Sequence, residues 1–260
     1  MADFAAKYIN ANLAQDAPAY DRARFLAWNE KLHKVQPSTQ NGFTIGLLSA
    51  MLCAQRRGDA AAALFRDATK DESDADLVEC FTIVREILAL VAPFVGLPSC
   101  MPATFGLVGE LRSRGINEVP CQKRLGFDKY DYTTEGRVSL KKIYRGVGNG
   151  EVDVMMQQYF PEMSYYAHTA VFGYMLSGGN LLSLKEKELV VASGILAQGA
   201  VRQSQSHCKA SIQLGNRVEV VQELVDVSVE IGIWNNSPLS GLDVPQLAEE
   251  VKRNLTTEGQ

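Results

Sequence analysis

Apolar positions along the chain recur at three- and four-residue intervals. Within 75–92, Leu77, Phe81, Val84 and Leu88 follow at spacings of 4, 3 and 4, the period of one buried helix face. The stretches 41–57 and 184–199 are apolar on most sides and read as buried helices. Similar but weaker patterns predict helices over 2–15, 19–34, the alanine run after Asp59, 102–114, 137–145, 151–158, 162–177, 203–214, 217–232 and 243–255. Pro18 separates the first two, and Pro93 and Pro98 are expected to close the 75–92 helix. No sustained apolar–polar alternation occurs, and no Asn-Gly or Asp-Gly turn joins two alternating runs, so strands are not expected. The predicted class is all-α.

Between Ile116 and Gly136 the period is lost, and charged, aromatic and glycine residues mix. This stretch reads as a linker (116–136) between an N-terminal half (1–115) and a C-terminal half (137–260). Val95-Gly96-Leu97 follows an apolar helix in one half, and Ile231-Gly232-Ile233 does so in the other. Ser38–Cys53 and Ser183–Gln198 share an apolar-helix pattern 145 residues apart. Pattern alone leaves both duplication and coincidence open, because apolar helices resemble one another.

At 260 residues and 46% hydrophobic, the chain can bury one large core or two modest ones. Its net charge of −4 gives no basic stripe for a polyanion, so no nucleic-acid partner is expected. Arg56-Arg57 and Lys141-Lys142 read as solvated helix faces. Five cysteines with no C-x-x-C pair do not suit a disulfide framework and point to reduced thiols. No apolar run reaches the roughly 18 residues of a membrane span, and the N-terminus lacks a secretory pattern. A cytoplasmic location is expected, with the mitochondrial matrix as the alternative.

The most informative stretch is Ser183–Gly215. Ser183 and Glu186 form a capping-box pattern that fixes a helix start. Gly199 should break that helix, and a second should run to Gly215. In an antiparallel hairpin turning near residue 198, Glu188 and His207 lie at the same level. A carboxylate beside an imidazole orients the ring and raises its proton affinity, which suits proton transfer near neutral pH. The plainer alternatives are a solvated Lys-Glu-Lys-Glu helix start and a structural histidine. Cys208 reads as a small buried hydrophobe rather than a reactive thiol.

This stretch resembles the carboxymuconolactone decarboxylase and alkyl hydroperoxidase D superfamily. Leu182, Lys185, Glu188 and Leu189 match its helix-start pattern, and His207 followed eight residues later by Gly215 matches its second element. Phe172-Gly173-Tyr174 before Gly178-Gly179-Asn180 looks like its upstream helix end, and Glu219–Gly232 like its closing helix. The resemblance covers about residues 135–255, with 38–114 as a more diverged copy. It implies two tandem alkyl hydroperoxidase D-like repeats forming a pseudo-dimer within the chain, and a homo-oligomer of such units, most plausibly a trimer. Peroxidase members carry cysteines four and seven residues before the histidine, where this chain has Gln203 and Ala200. Without both thiols no dithiol cycle is available. The positions 145 residues before Glu188 and His207 hold Phe43 and Ala62, so the first copy lacks the pair.

The decarboxylase branch of the superfamily is nearer. It implies a cofactor-free lyase acting on a small organic acid, with His207 as acid/base, Glu188 as its orienter, and Arg202 holding an anionic substrate. Arg202 read on its own is an ordinary exposed arginine at a helix start. Two further readings stand beside the lyase: a non-catalytic structural or interaction protein of the same fold, and a single-thiol peroxidase-like enzyme using Cys208.

Overall fold

The structure, a computed structural model, describes residues 2–37, 40–121, 123–148, 150–179 and 181–258. It is all-helical, with no strand among the described residues. The helices are α1 (Ala2–Phe4), α2 (Arg22–Val35), α3 (Phe43–Ala54), α4 (Gly58–Ala68), α5 (Asp74–Val95), α6 (Leu97–Ser113) and α7 (Tyr132–Tyr144). They continue with α8 (Glu151–Tyr159), α9 (Pro161–Tyr166), α10 (Leu184–Gln198), α11 (Val201–Gln213), α12 (Val218–Trp234) and α13 (Val244–Glu258). Two wide π-helical segments, Ala5–Ile9 and Ala167–Ser177, prolong α1 and α9. Ser38 and Asn180, quoted above, lie outside the described residues.

The chain forms two compact units. One comprises Met1–Pro120, Val190–Ser204 and Gln222–Leu242; the other comprises Cys121–Leu189, Gln205–Val221 and Asp243–Gln260. Helices α10, α11 and α12 each contribute residues to both.

In the first unit α3 is the buried element: every residue from Phe43 to Cys53 is covered. A helix apolar on all sides has to sit inside, and α4, α5 and α6 pack around it. Ser73 caps α5 by accepting from the Asp76 N–H at 3.2 Å. Neither proline closes the 75–92 helix. Helix α5 runs through Pro93 to Val95, and Pro98 opens α6. Pro98 sits in the first helical turn, where a missing N–H costs no internal bond. The expected 2–15 helix stops at Ile9. Arg57 is also not a solvated residue. It is 4% exposed, grips both oxygens of Asp59 at 2.9 Å, and lies 4.3 Å over the Trp234 ring.

In the second unit α7 packs most extensively against the Ala167–Ser177 segment. The two helices approach so closely that a Cβ on Gly136 would overlap the His168 carbonyl, and one on Gly173 the Tyr132 carbonyl. Helix α7 begins at Tyr132, capped by Asp131 on the Thr134 N–H at 3.0 Å, within the stretch read as linker. The wide segment ends at Gly178, and the buried Lys187 ammonium donates to the carbonyls of Leu176 (3.0 Å) and Gly178 (2.6 Å). A cation on the last carbonyls of a helix satisfies them and complements the dipole.

Candidate functional site

The site is set by the start of α10. Ser183 and Glu186 form the expected reciprocal cap: the Ser183 N–H donates to Glu186 Oε2 at 2.8 Å, and the Glu186 N–H donates to Ser183 Oγ at 3.3 Å. This cap fixes the helix phase, so Glu188 in the next turn faces inward. Lys187 and Glu188 are 2% and 0% exposed, so this part of the Lys-Glu-Lys-Glu run is not a solvated helix start. Gly199, at φ +73, ends α10, a conformation that costs glycine little. Gly215, at φ +94, ends α11, where the Asn216 N–H closes back on the Ser211 carbonyl at 3.0 Å.

Glu188 and His207 meet. Glu188 Oε1 lies 2.5 Å from His207 Nδ1, and both side chains are buried. On the other side of the ring, Nε2 lies 3.1 Å from the Tyr144 hydroxyl, at the end of α7. With Glu188 ionised, Nδ1 carries the proton and donates to it. Nε2 then accepts from the Tyr144 O–H. The three groups form one hydrogen-bonded chain from phenol through imidazole to carboxylate. Tyr144 is held by an edge contact with Phe172, ring centres 5.9 Å apart. Burial first, then the charge of Glu188, holds its phenol well above the ordinary tyrosine range. Glu188 Oε2 and Ser211 Oγ are buried without a hydrogen-bond partner. Ser211 is one turn beyond His207 on the same face of α11. Buried polar atoms with unused capacity are rare and ask for a reason.

The other residues singled out by sequence make no hydrogen bond in this chain. Arg202 is exposed in the first turn of α11 and is grouped with the first unit. Cys208 is buried, and burial followed by the charge of Glu188 pushes its thiol up to about 12, the opposite of an activated nucleophile.

Sequence reasoning missed Tyr144 and a second histidine cluster. Tyr144 is 63 residues from His207, and only tertiary packing brings it there. His168 is also buried, with Nε2 2.9 Å from Asp153 and Nδ1 3.4 Å from the Ser164 hydroxyl. The Asp153 contact ties α8 to the wide segment. The one usable signal was Ser164 and His168 at a spacing of four. Among the described residues, no group of three or more His, Cys, Asp or Glu side chains is placed to hold a metal ion.

No family model matches the sequence, and no curated protein matches it either.

Proposed function

We propose that the C-terminal half is a cofactor-free lyase of the carboxymuconolactone decarboxylase kind, acting on a small organic acid through a Glu188–His207–Tyr144 proton relay. The observation that carries this reading is the hydrogen-bonded chain itself, 2.5 Å on one side of the imidazole and 3.1 Å on the other. The reaction needs one proton and no redox partner. The carbon–carboxylate bond breaks, CO₂ leaves, and the electron pair passes into the conjugated lactone. A proton taken up from water then reaches carbon by way of Nε2, the nitrogen that Tyr144 faces. Glu188 holds the ring in place through its Nδ1.

The tandem-repeat reading draws support from helix spacing. Helices α3, α4, α5 and α6 have counterparts in α10, α11, α12 and α13 that begin 141, 143, 144 and 147 residues later. The homo-oligomer reading draws support from α8, which buries none of its residues and exposes Val154, Met155 and Tyr159. The cytoplasmic location stays part of the proposal; no helix among the described residues is long and apolar enough to cross a membrane.

One observation favours a second reading, a structural protein of the same fold. Glu188 is fully buried and His207 nearly so, and the clefts found in the two units are lined by other residues. Solvent deuterium separates the two. Incubated in D₂O with small lactone acids, the lyase yields product carrying one deuterium on a carbon of the conjugated system that took up the electron pair. His207→Gln loses the product and Glu188→Gln gives less of it, while both keep the wild-type circular dichroism. If the wild-type chain gives no product with any lactone acid, the structural reading replaces the lyase.

A further inference from the structure

The first unit holds a cleft of about 840 Å³ that shares no residue with the relay. Its size is within the range of small-molecule sites, roughly 300–1,000 Å³. The floor is made by α4 and α6, lined by Ala63 and Gly109; at Gly106 the two helices close up, because a Cβ there would overlap Ala62. The roof is the N-terminal segment, through Phe4, Ile9 and Leu13. Tyr8 pins that roof to α6 by a contact with Phe105, ring centres 5.3 Å apart. The roof is therefore held without an occupant.

The charges around this apolar space are unbalanced. Of its two acidic lining residues, Asp59 is held by the buried Arg57 in a two-pronged pair at 2.9 Å. Glu110 is paired with Arg114 at 3.1 Å. The remaining charged lining residues, Arg66 and Arg112, are both cationic and exposed at the mouth. Arg66 pairs with Asp67 at 3.0 Å, which also faces Arg22 at 3.7 Å. With the acids and Arg66 neutralised, the positive charge of Arg112 beside an apolar interior is complementary to an anion with a hydrocarbon tail.

We propose that this cleft binds a medium-chain monocarboxylate. Its tail lies between the Ala63–Gly109 floor and the Ile9–Leu13 roof, and its carboxylate sits at Arg112. The site is independent of the lyase reading.

The test is isothermal titration calorimetry on the full chain with hexanoate, octanoate and decanoate, and with decanol and decyltrimethylammonium as charge controls. Saturable one-site binding is expected. Each added pair of methylenes should tighten it about tenfold. Decanol and the cationic amphiphile should bind more weakly than decanoate. Arg112→Glu, at an exposed position, should weaken decanoate about tenfold and leave decanol unchanged. Ala63→Phe should weaken the whole series by filling the floor. Non-saturable heat, affinity independent of chain length, or decyltrimethylammonium binding as well as decanoate would overturn the proposal. So would an Arg112→Glu protein that binds decanoate like the wild type.

Discussion

Replacing His207 with phenylalanine tests whether the Glu188–His207 contact is what compensates a buried carboxylate. Glu188 is 0% exposed, and its Oε2 has no partner. Its Oε1 is met by His207 Nδ1 at 2.5 Å. Removing the imidazole leaves a carboxylate in the interior with that hydrogen bond gone. Breaking a buried pair from one side costs about 3–5 kcal/mol. For a chain of this size that corresponds to a fall in melting temperature of roughly 10 °C. Glu188→Met alone leaves only a neutral imidazole N–H unsatisfied, which costs about 1–3 kcal/mol. The double variant leaves neither group stranded, so its cost should be well below the sum of the singles. The readout is urea unfolding followed by far-ultraviolet circular dichroism. Tryptophan fluorescence would not serve, because Trp28 and Trp234 both belong to the first unit and the pair to the second. If His207→Phe costs less than about 1 kcal/mol, or the two single costs add within roughly 0.5 kcal/mol, the buried-carboxylate reasoning is wrong.

Three further outcomes follow from the geometry. The Cys208 thiol has an ordinary value of 9.0 and stands at about 12 when folded. Its contribution is complete below pH 9 and is lost as pH rises toward 12, at up to about 1.4 kcal/mol per pH unit. Urea midpoints from pH 8 to 11 should therefore fall less steeply for Cys208→Ala, and parallel curves would contradict this. Lys187→Met strands the carbonyls of Leu176 and Gly178 and should cost about 1–3 kcal/mol, with hydrogen exchange accelerated at the end of the wide segment; unchanged exchange there would count against the capping role. Gly136→Ala pushes a methyl into the His168 carbonyl and should destabilise by more than the usual 1–3 kcal/mol of overpacking; a wild-type melting temperature would show that α7 can move away.

Much of the helical layout was legible because period and caps are local. The Ser183–Glu186 cap, the break at Gly199 and the stop at Gly215 stood in the sequence, and they set the level at which Glu188 and His207 face each other. Other features depended on tertiary context. Pro98 signals a stop in isolation, yet here it opens a helix. Arg57 belongs to a charged pair of residues and becomes buried because Asp59 and Trp234 receive it. The wide helical turn at Ala167–Ser177 leaves no clear mark in hydrophobic spacing, and the buried Lys187 that caps it looked solvated in the sequence. Tyr144 has no local relation to the pair it completes. The site was thus readable as two facing residues, but not as a chain of three.

The most direct test of the relay is CO₂ release from a panel of small lactone monocarboxylates by purified wild-type, Glu188→Gln, His207→Gln and Tyr144→Phe proteins, each first shown to be folded. The relay predicts measurable wild-type turnover and a loss of about 10²–10⁴-fold in the His207 variant. It predicts smaller losses in the Glu188 and Tyr144 variants. Turnover that survives His207→Gln at the wild-type rate would contradict it.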